Sequence, residues 1–162
     1  MPQCTIIGAG LAGCEAALWL AGRGVQVTLY EQKPVRFSPA HKSAGFAELV
    51  CSNSLKAERP DSASGLLKLE MRAMGSRLLP CAESARVAAG GALAVDRDRF
   101  SAAVTACVEN EPNITVVRRE VTAIDESAPV HRRAACRPQP DRAHAQGHQA
   151  PGARRADPPA QT

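Results

Sequence analysis

The stretch that decides the fold is CTIIGAGLAGCEAALWL, residues 4–20. Its opening residues, Cys4 to Ile7, are apolar or β-branched and indicate a short buried strand. LAGCEAALWLAGRG then indicates a helix, whose small residues allow close packing on a sheet and whose final glycines end it. VQVTLY, residues 25–30, is a second strand, and it finishes at the acid Glu31. Strand, helix and strand within about 30 residues predict one βαβ unit with parallel strands and a right-handed crossover.

The turn between this strand and helix carries the pattern GxGxxG, which comprises Gly8, Ala9, Gly10, Leu11, Ala12 and Gly13. In such a pattern the first glycine makes the tight turn, the second lets the backbone approach a pyrophosphate, and the third lets helix and strand pack closely. The pyrophosphate then lies at the helix N-terminus, where free N–H groups and the helix dipole favour an anion. The pattern therefore predicts a dinucleotide-binding site.

Glu31 lies 18 residues beyond Gly13, at the end of the second strand. There its carboxylate can accept both ribose hydroxyls and would repel a 2′-phosphate. This favours a cofactor whose ADP moiety lacks that phosphate, which means FAD or NAD, and the motif does not separate the two. A lone GxGxxG can also be a chance glycine-rich turn, but here it follows a strand, opens a helix and has its acid in place.

The next part of the chain, residues 32–64, is rich in proline and predicts a long loop with a short helix near GFAELV, residues 45–50. Structured loops of this length are uncommon unless they carry function. SGLLKLEMRAMGS, residues 64–76, then predicts a helix with Leu67, Met71 and Met74 on its apolar face.

The remainder of the fold is predicted to contain more strands and one long helix. RLLPCAESARVAAGGALAVDR, residues 77–97, indicates short strands around a glycine turn. RDRFSAAVTACVEN, residues 97–110, indicates a helix capped by Asp96. The apolar stripe of that helix comprises Phe100, Ala103, Val104, Cys107 and Val108. ITVVRREVTAI, residues 114–124, gives one or two strands.

The formal net charge of +4 arises in residues 131–162, because residues 1–130 carry 14 Lys and Arg against 14 Asp and Glu. The pI therefore says nothing about the surface of the fold. Residues 131–162 contain no Ile, Leu, Val, Met, Phe, Tyr or Trp, so this segment cannot bury enough apolar surface and should be disordered. We expect an incomplete nucleotide-binding domain over 1–130 and a basic Ala/Arg/Pro-rich tail over 131–162. A shifted reading frame or a gene fragment would explain the tail better than an RNA-binding role.

Six cysteines are scattered without CxxC pairing, so no metal-ligand set or disulfide framework can be read. No run approaches the roughly 18 apolar residues of a membrane span, and we expect no membrane partner. Free thiols and the lack of an export signal favour the cytoplasm. Cys4, Cys14 and Cys107 are expected to be core thiols, and Cys81 is left unassigned.

ELVCSNS, residues 48–54, is the most informative of the remaining stretches. Together with IIGAGLAGCEAA, LYEQKP, SPAHKSAGFAELVCSNSLKAE, GLLKLEMRAMGS and AGGALAVDRDRFS, it resembles the N-terminal part of the folate- and FAD-dependent tRNA uracil-5-methyltransferase family, called TrmFO or Gid. The resemblance covers most of residues 4–124. It implies an α/β fold: an FAD/NAD(P)-binding Rossmann-like domain with a parallel central sheet, truncated here and followed by the disordered tail.

The resemblance implies methylation at C5 of a T-loop uridine in tRNA. FAD would be the cofactor, and methylenetetrahydrofolate and NAD(P)H the co-substrates. Uracil C5 is a poor nucleophile until a thiolate adds at C6, and the cysteine of CSNS is a catalytic candidate in this family, which matches Cys51. The glycine motif and Glu31 would bind the ADP half of FAD. The family's second cysteine lies beyond the matching part, and so do the later strands and the segment that contacts the flavin. We therefore expect the chain alone to be inactive and to bind FAD weakly or not at all.

Several alternatives stay open at this point. Cys51 taken by itself is more often a buried structural thiol, although its predicted place at the end of a short helix, before three hydrogen-bonding residues, would suit a thiolate. His41 and Lys42 can meet a phosphate or a folate carboxylate, or simply belong to a solvated loop. The chain can also be another FAD- or NAD-dependent oxidoreductase that shares only the βαβ unit, or a non-catalytic nucleotide-binding fragment.

Overall fold

The computed structural model describes residues 1–123 and the backbone of residues 130–132. It opens with strand β1 (Gln3–Ile7), helix α1 (Leu11–Ala21) and strand β2 (Gln26–Glu31). The two strands are parallel and in register from Gln3 opposite Gln26 to Ile7 opposite Tyr30. The predicted βαβ unit is therefore confirmed.

The later elements extend this unit into a parallel sheet. In chain order they are β3 (Ser54–Ala57), α2 (Ala63–Ala73), α3 (Leu78–Ser84), β4 (Arg86–Val87), β5 (Ala92–Val95), α4 (Arg97–Glu109), β6 (Ile114–Arg118) and β7 (Val130–Arg132). The sheet has the order β6-β2-β1-β7, and each neighbouring pair is parallel. Helices between parallel strands define the α/β class, so the predicted Rossmann-like fold with a parallel central sheet is confirmed.

A second, smaller sheet has the order β3-β5-β4 and is antiparallel. The prediction of strands throughout residues 77–97 is wrong at its start, because Leu78–Ser84 is helix α3. The Glu15 carboxylate accepts hydrogen bonds from the backbone N–H groups of Arg77 and Leu78, at 2.7 and 3.1 Å, and so satisfies donors at the start of the helix. Pro80 falls in the first turn, where a missing N–H costs nothing.

The predicted short helix near GFAELV is also wrong, because residues 44–50 form only bends and irregular backbone. Ala47 has φ of +50°, which a right-handed helix does not allow. The N–H of Phe46 donates to Thr105 Oγ1 at 2.9 Å, and that of Ala47 donates to Ala9 O at 2.9 Å. Long-range partners thus replace the helical ones, and Cys51 does not lie at a helix end.

The core lies between the parallel sheet and helices α1, α3 and α4. Phe100, Val104 and Val108 of the predicted α4 stripe are fully buried, whereas Cys107 is exposed, so the prediction that Cys107 is a core thiol is wrong. The cap of α4 is confirmed, since Asp96 Oδ1 accepts from the N–H groups of the second and third helical residues at 3.1 and 3.0 Å.

Helix α2 is where predicted, but its apolar face is not the buried one. Leu67 and Met74 are 54% and 61% exposed, and Met71 is only partly buried. The helix instead buries Gly65 and Lys68, because the Lys68 ammonium donates to Ala57 O of β3 and to a carbonyl of its own helix, each at 3.0 Å. The hydrogen bonds of the Lys68 ammonium thus determine which face of α2 is buried.

The predicted domain boundary after residue 130 falls within β7, which continues to Arg132. Residues 133–162 lie outside the described residues, so the tail and its disorder stay predictions. None of the helices in the described residues has the length and apolar composition of a membrane span.

Candidate functional site

The glycine turn is built by close backbone packing at the end of β1. Gly8 has φ of +97°, a conformation that L side chains rarely adopt, and its N–H donates to Tyr30 O of β2 at 2.7 Å. A Cβ atom on Gly13 would overlap Gly8 O, well inside the 3.0 Å limit of real Cβ contacts. The first and third glycines of the motif therefore do the turning and packing that the pattern predicts.

The N-terminus of α1 presents backbone hydrogen-bond donors that its own helix does not use. Gly10 is the N-cap and brings no side chain to the helix end, and the first turn holds no acidic residue. The first helical hydrogen bond runs from Cys14 N to Gly10 O at 2.9 Å. The preceding N–H groups have no acceptor within the helix, so the positive end of the dipole is available to an anion.

Glu31 closes this site from the carboxyl end of β2. Its side chain is buried, at 7% exposure. Its Oε2 accepts the N–H of Ala9 at 2.8 Å and its Oε1 accepts the N–H of Lys33 at 3.0 Å. A carboxylate has about four acceptor positions, so two remain for the two hydroxyls of a ribose. The residues present thus fit the ADP moiety of a dinucleotide.

Cys51 is exposed and lies in irregular backbone just before β3. It lines a cavity of about 1010 Å³ together with charged and polar residues that include Lys42, Glu48, Asn53 and Arg97. Among the described residues, none of the glycine motif lines this cavity. The structure therefore gives Cys51 an accessible, polar setting, but in a different cavity from the glycine turn.

A short buried segment joins the two places. Phe46 and Ala47 are fully buried, and the hydrogen bond from Ala47 N to Ala9 O ties them to the glycine turn. Ser101 Oγ donates to Phe46 O at 2.6 Å, which anchors the segment on α4. Ala9 therefore donates its N–H to Glu31, and its carbonyl accepts a hydrogen bond from the segment that leads to Cys51.

Two charged residues reinforce this connection, and the sequence analysis missed both. Lys33 is only 4% exposed, and its ammonium donates to Gly45 O at 2.7 Å and to Glu48 Oε2 at 3.3 Å. Glu48 Oε1 accepts the N–H groups of Lys42 and Ser43 at 2.9 and 3.1 Å. Burial raises the pKa of Glu48, but these hydrogen bonds outweigh it and hold the pKa below its usual 4.5. A lysine and a glutamate on irregular backbone have no periodic pattern that would reveal them.

The other candidates take lesser places. His41 Nδ1 is 2.6 Å from Ser38 Oγ, within its own loop. Cys4 and Cys14 are buried as expected. Cys81 lies in α3, with its Sγ 3.6 Å from that of Cys107 on α4. Burial, and after it the Cys107 thiol, raises the pKa of Cys81 to about 11.

Comparisons with known proteins identify the family. The family model for glucose inhibited division protein A matches residues 3–137. The methylenetetrahydrofolate–tRNA-(uracil-5-)-methyltransferase TrmFO of Oleidesulfovibrio alaskensis is 54% identical over 128 residues, which are 79% of this chain and 29% of that protein. TrmFO of Koribacter versatilis is 61% identical over 122 residues, which are 75% of this chain and 28% of that protein.

Among solved structures, the GidA-related protein from Thermus thermophilus matches with a TM-score of 0.38 and 22% identity, over 72% of this chain and 38% of that one. The chain spans less than a third of the length of the two curated relatives, at 29% and 28%. The activity of those relatives therefore belongs to proteins that are much longer than the part matched by this chain.

Proposed function

The chain belongs to the glucose inhibited division protein A family, and we propose that it is the nucleotide-binding part of a folate- and FAD-dependent tRNA uracil-5-methyltransferase. The support is the identity of 54% and 61% to relatives that carry this activity in their names. The proposed domain runs over residues 1–130. Its partners would be tRNA, through a T-loop uridine, and folate.

The observation that carries the proposal is the clamp on Glu31. The buried carboxylate is held by two backbone N–H groups, one of them from Ala9 inside the glycine motif. In this position it can accept the adenosine ribose, while the main chain from Gly8 to Gly13 holds the pyrophosphate. When bound, FAD with NAD(P)H would supply reducing electrons, and methylenetetrahydrofolate would supply the one-carbon unit.

Cys51 would act on the uridine. Its Sγ forms a bond to C6 of the uracil, and the displaced π electrons make C5 nucleophilic toward the one-carbon unit. Once C5 has bonded to the one-carbon unit, loss of the C5 proton releases tetrahydrofolate and leaves a methylene on C5. A hydride, which FAD with NAD(P)H would supply, converts that methylene into the methyl group, and the bond from sulfur to C6 breaks to release the thiolate. Lys42 and Arg97 line the same cavity, beside the carboxylates of Glu48, Asp96 and Asp98, and are the cations there that could pair with a nucleotide phosphate. The chemistry needs a reduced thiol, which favours the cytoplasm.

Discrimination between nucleotides tests the Glu31 site in this chain. Calorimetric titration should show AMP binding more tightly than adenosine 2′,5′-bisphosphate, which differs from it only by the 2′-phosphate that the carboxylate repels. Glu31→Gln removes that charge and should abolish the preference, whereas Glu120→Gln, on an exposed carboxylate that pairs with Arg36, should keep it. Equal affinities of the wild-type chain for the two nucleotides would contradict the site.

The catalytic role of Cys51 needs the remainder of the enzyme. We suggest a chimera of residues 1–123 followed by the corresponding remainder of the Koribacter versatilis protein. With methylenetetrahydrofolate and NADPH, it should release tritium from tRNA labelled at uridine C5. Cys51→Ala should abolish release and Cys107→Ala, also an exposed thiol, should not. An oxidoreductase that shares only the βαβ unit would release no tritium at all.

A further inference from the structure

We propose that Lys33 is a positioning residue, which holds the Cys51 segment, residues 42–53, against the edge of the sheet where Glu31 binds nucleotide. This inference rests on the proposed role of Cys51, since only that role makes the segment's position matter for the reaction. Lys33 does not itself line the cavity beside Cys51. It would act through Glu48, which does.

The burial of Lys33 is the first argument. Lysine is almost never fully buried unless it is paired, yet Lys33 is 4% exposed. Its backbone N–H is bonded to Glu31 and its ammonium reaches Gly45 O and Glu48 Oε2. One residue thus connects the carboxylate of the nucleotide site to the segment that carries the thiol.

The position of Glu48 is the second argument. One carboxylate oxygen takes the Lys33 ammonium, and the other takes the N–H groups of Lys42 and Ser43. Glu48 lies three residues before Cys51 and lines the same cavity. Its carboxylate therefore closes the first part of the segment into a loop, and Lys33 fixes that loop to the sheet.

The effect of the ion pair should be local, because other contacts hold the middle of the segment without Lys33's side chain. The Arg118 guanidinium donates to the carbonyls of Lys33 and Ala44 at 3.1 and 2.9 Å and lies 4.1 Å from the ring centroid of Phe46. Loss of the ammonium should therefore release the residues near Lys42 and Cys51 and leave Phe46 in place.

Hydrogen exchange with mass spectrometry on the full chain tests this directly. Lys33→Met keeps the length of the side chain and removes its charge, while Lys33→Arg keeps a cation. Within residues 42–53, exchange near Lys42 and near Cys51 should become about tenfold faster or more in Lys33→Met, since loss of one partner of a buried pair is strongly destabilising, while the amides of Phe46 and Ala47 should stay protected. Exchange in α4 should stay as in the wild type, and Lys33→Arg should restore slow exchange.

The six thiols provide a second readout in the same variants. The rate of alkylation by iodoacetamide is measured for each cysteine. For Cys51 this rate should change by about threefold or more relative to that of exposed Cys107. A purely global effect on stability would not confine the change to one thiol. Buried Cys4 and Cys14 should stay unmodified. If Lys33→Met unfolds, the double variant Lys33→Met with Glu48→Gln, which leaves no unpaired charge, serves for the same measurements.

The inference is overturned if exchange over 42–53 and the ratio of Cys51 to Cys107 alkylation are both unchanged in Lys33→Met. It is also overturned if Lys33→Arg fails to restore them, or if the buried thiols react together with Cys51 in the double variant. A chimera that keeps tritium release after Cys51→Ala would instead refute the proposed function, and the exchange result for Lys33 would be unaffected.

Discussion

Gly13→Ala is the sharpest test of how the βαβ unit is built. The new Cβ would overlap the carbonyl oxygen of Gly8 and lie 3.1 Å from its carbonyl carbon and 3.5 Å from Ile6 Cγ2. The atoms of Gly8 are backbone atoms, and Gly8 N is itself bonded to Tyr30 O. The clash therefore cannot be relieved by a side-chain rotation, and either α1 must move away from β1 or the turn must distort.

Two terms of opposite sign decide the magnitude. Overpacking in a well-packed region costs about 1–3 kcal/mol, and a contact with backbone inside 3.0 Å belongs at the upper end. Alanine in place of glycine inside a helix stabilises the helix by about 1 kcal/mol. We therefore expect Gly13→Ala to lower the free energy of unfolding by about 2 kcal/mol, which is roughly a thirtyfold change in the folding equilibrium.

Urea denaturation followed by the fluorescence of Trp19 measures this change. Trp19 is the single tryptophan, and its indole N–H donates to Met74 O at 3.1 Å, so its emission reports contact between α1 and the end of α2. Gly91→Ala is the matched control, because a Cβ there meets nothing within 4 Å, and it should change stability by less than about 0.5 kcal/mol. If Gly13→Ala unfolds at the same urea concentration as the wild type, the close approach of α1 to the glycine turn is refuted.

Three further predictions concern the N-cap of α4, the loss of stability at low pH, and the pair of thiols formed by Cys81 and Cys107. Asp96→Ala should destabilise by about 1 kcal/mol in the same denaturation assay, because α4 loses its N-cap, whereas Asp96→Asn should keep most of that stability. Because the folded-state pKa of Glu48 lies below its usual 4.5, its stabilising contribution is present above that pH and is lost as pH falls through the lower folded value. Glu48→Gln should therefore flatten the loss of stability on acidification, measured by urea titrations at stepped pH, and an unchanged slope would contradict this. Diamide should oxidise Cys81 and Cys107 to a disulfide with loss of two hydrogens, seen by peptide mass mapping, because their sulfurs are 3.6 Å apart. Cys107→Ser should prevent it, and a wild-type chain that stays fully reduced would count against the pairing.

The βαβ unit was predictable because its determinants are local. The strands, the glycines and Glu31 stand within residues 3–31, and each makes its contact with another member of that stretch. A pattern read along the chain therefore contains most of the information that the geometry needs. The cap of α4 was predictable for the same reason, since the Asp96 carboxylate accepts N–H groups of the helix that it begins.

The misses have determinants far away in sequence. Helix α3 begins where the Glu15 carboxylate on α1 accepts two N–H groups at the start of α3. No residue pattern within 77–84 indicates a partner that lies 62 residues earlier in the chain. Ala47 leaves the helical region because its N–H is used by Ala9 O. In both places long-range hydrogen bonds replace local ones, and a helix or strand propensity read from a short window cannot anticipate which will win.

Ala9 shows why part of the candidate site is invisible to residue patterns. The motif assigns its position no side-chain requirement, yet its N–H holds the Glu31 carboxylate and its carbonyl holds the Ala47 N–H. Both contacts use main-chain atoms that every amino acid other than proline possesses, so no residue type signals them. Their effect is that Glu31 and the segment leading to Cys51 are attached to the same residue of the glycine turn. A displacement of that turn must therefore shift both hydrogen bonds together. The positions of Glu31 and of the segment that leads to Cys51 thus both depend on the conformation of the glycine turn.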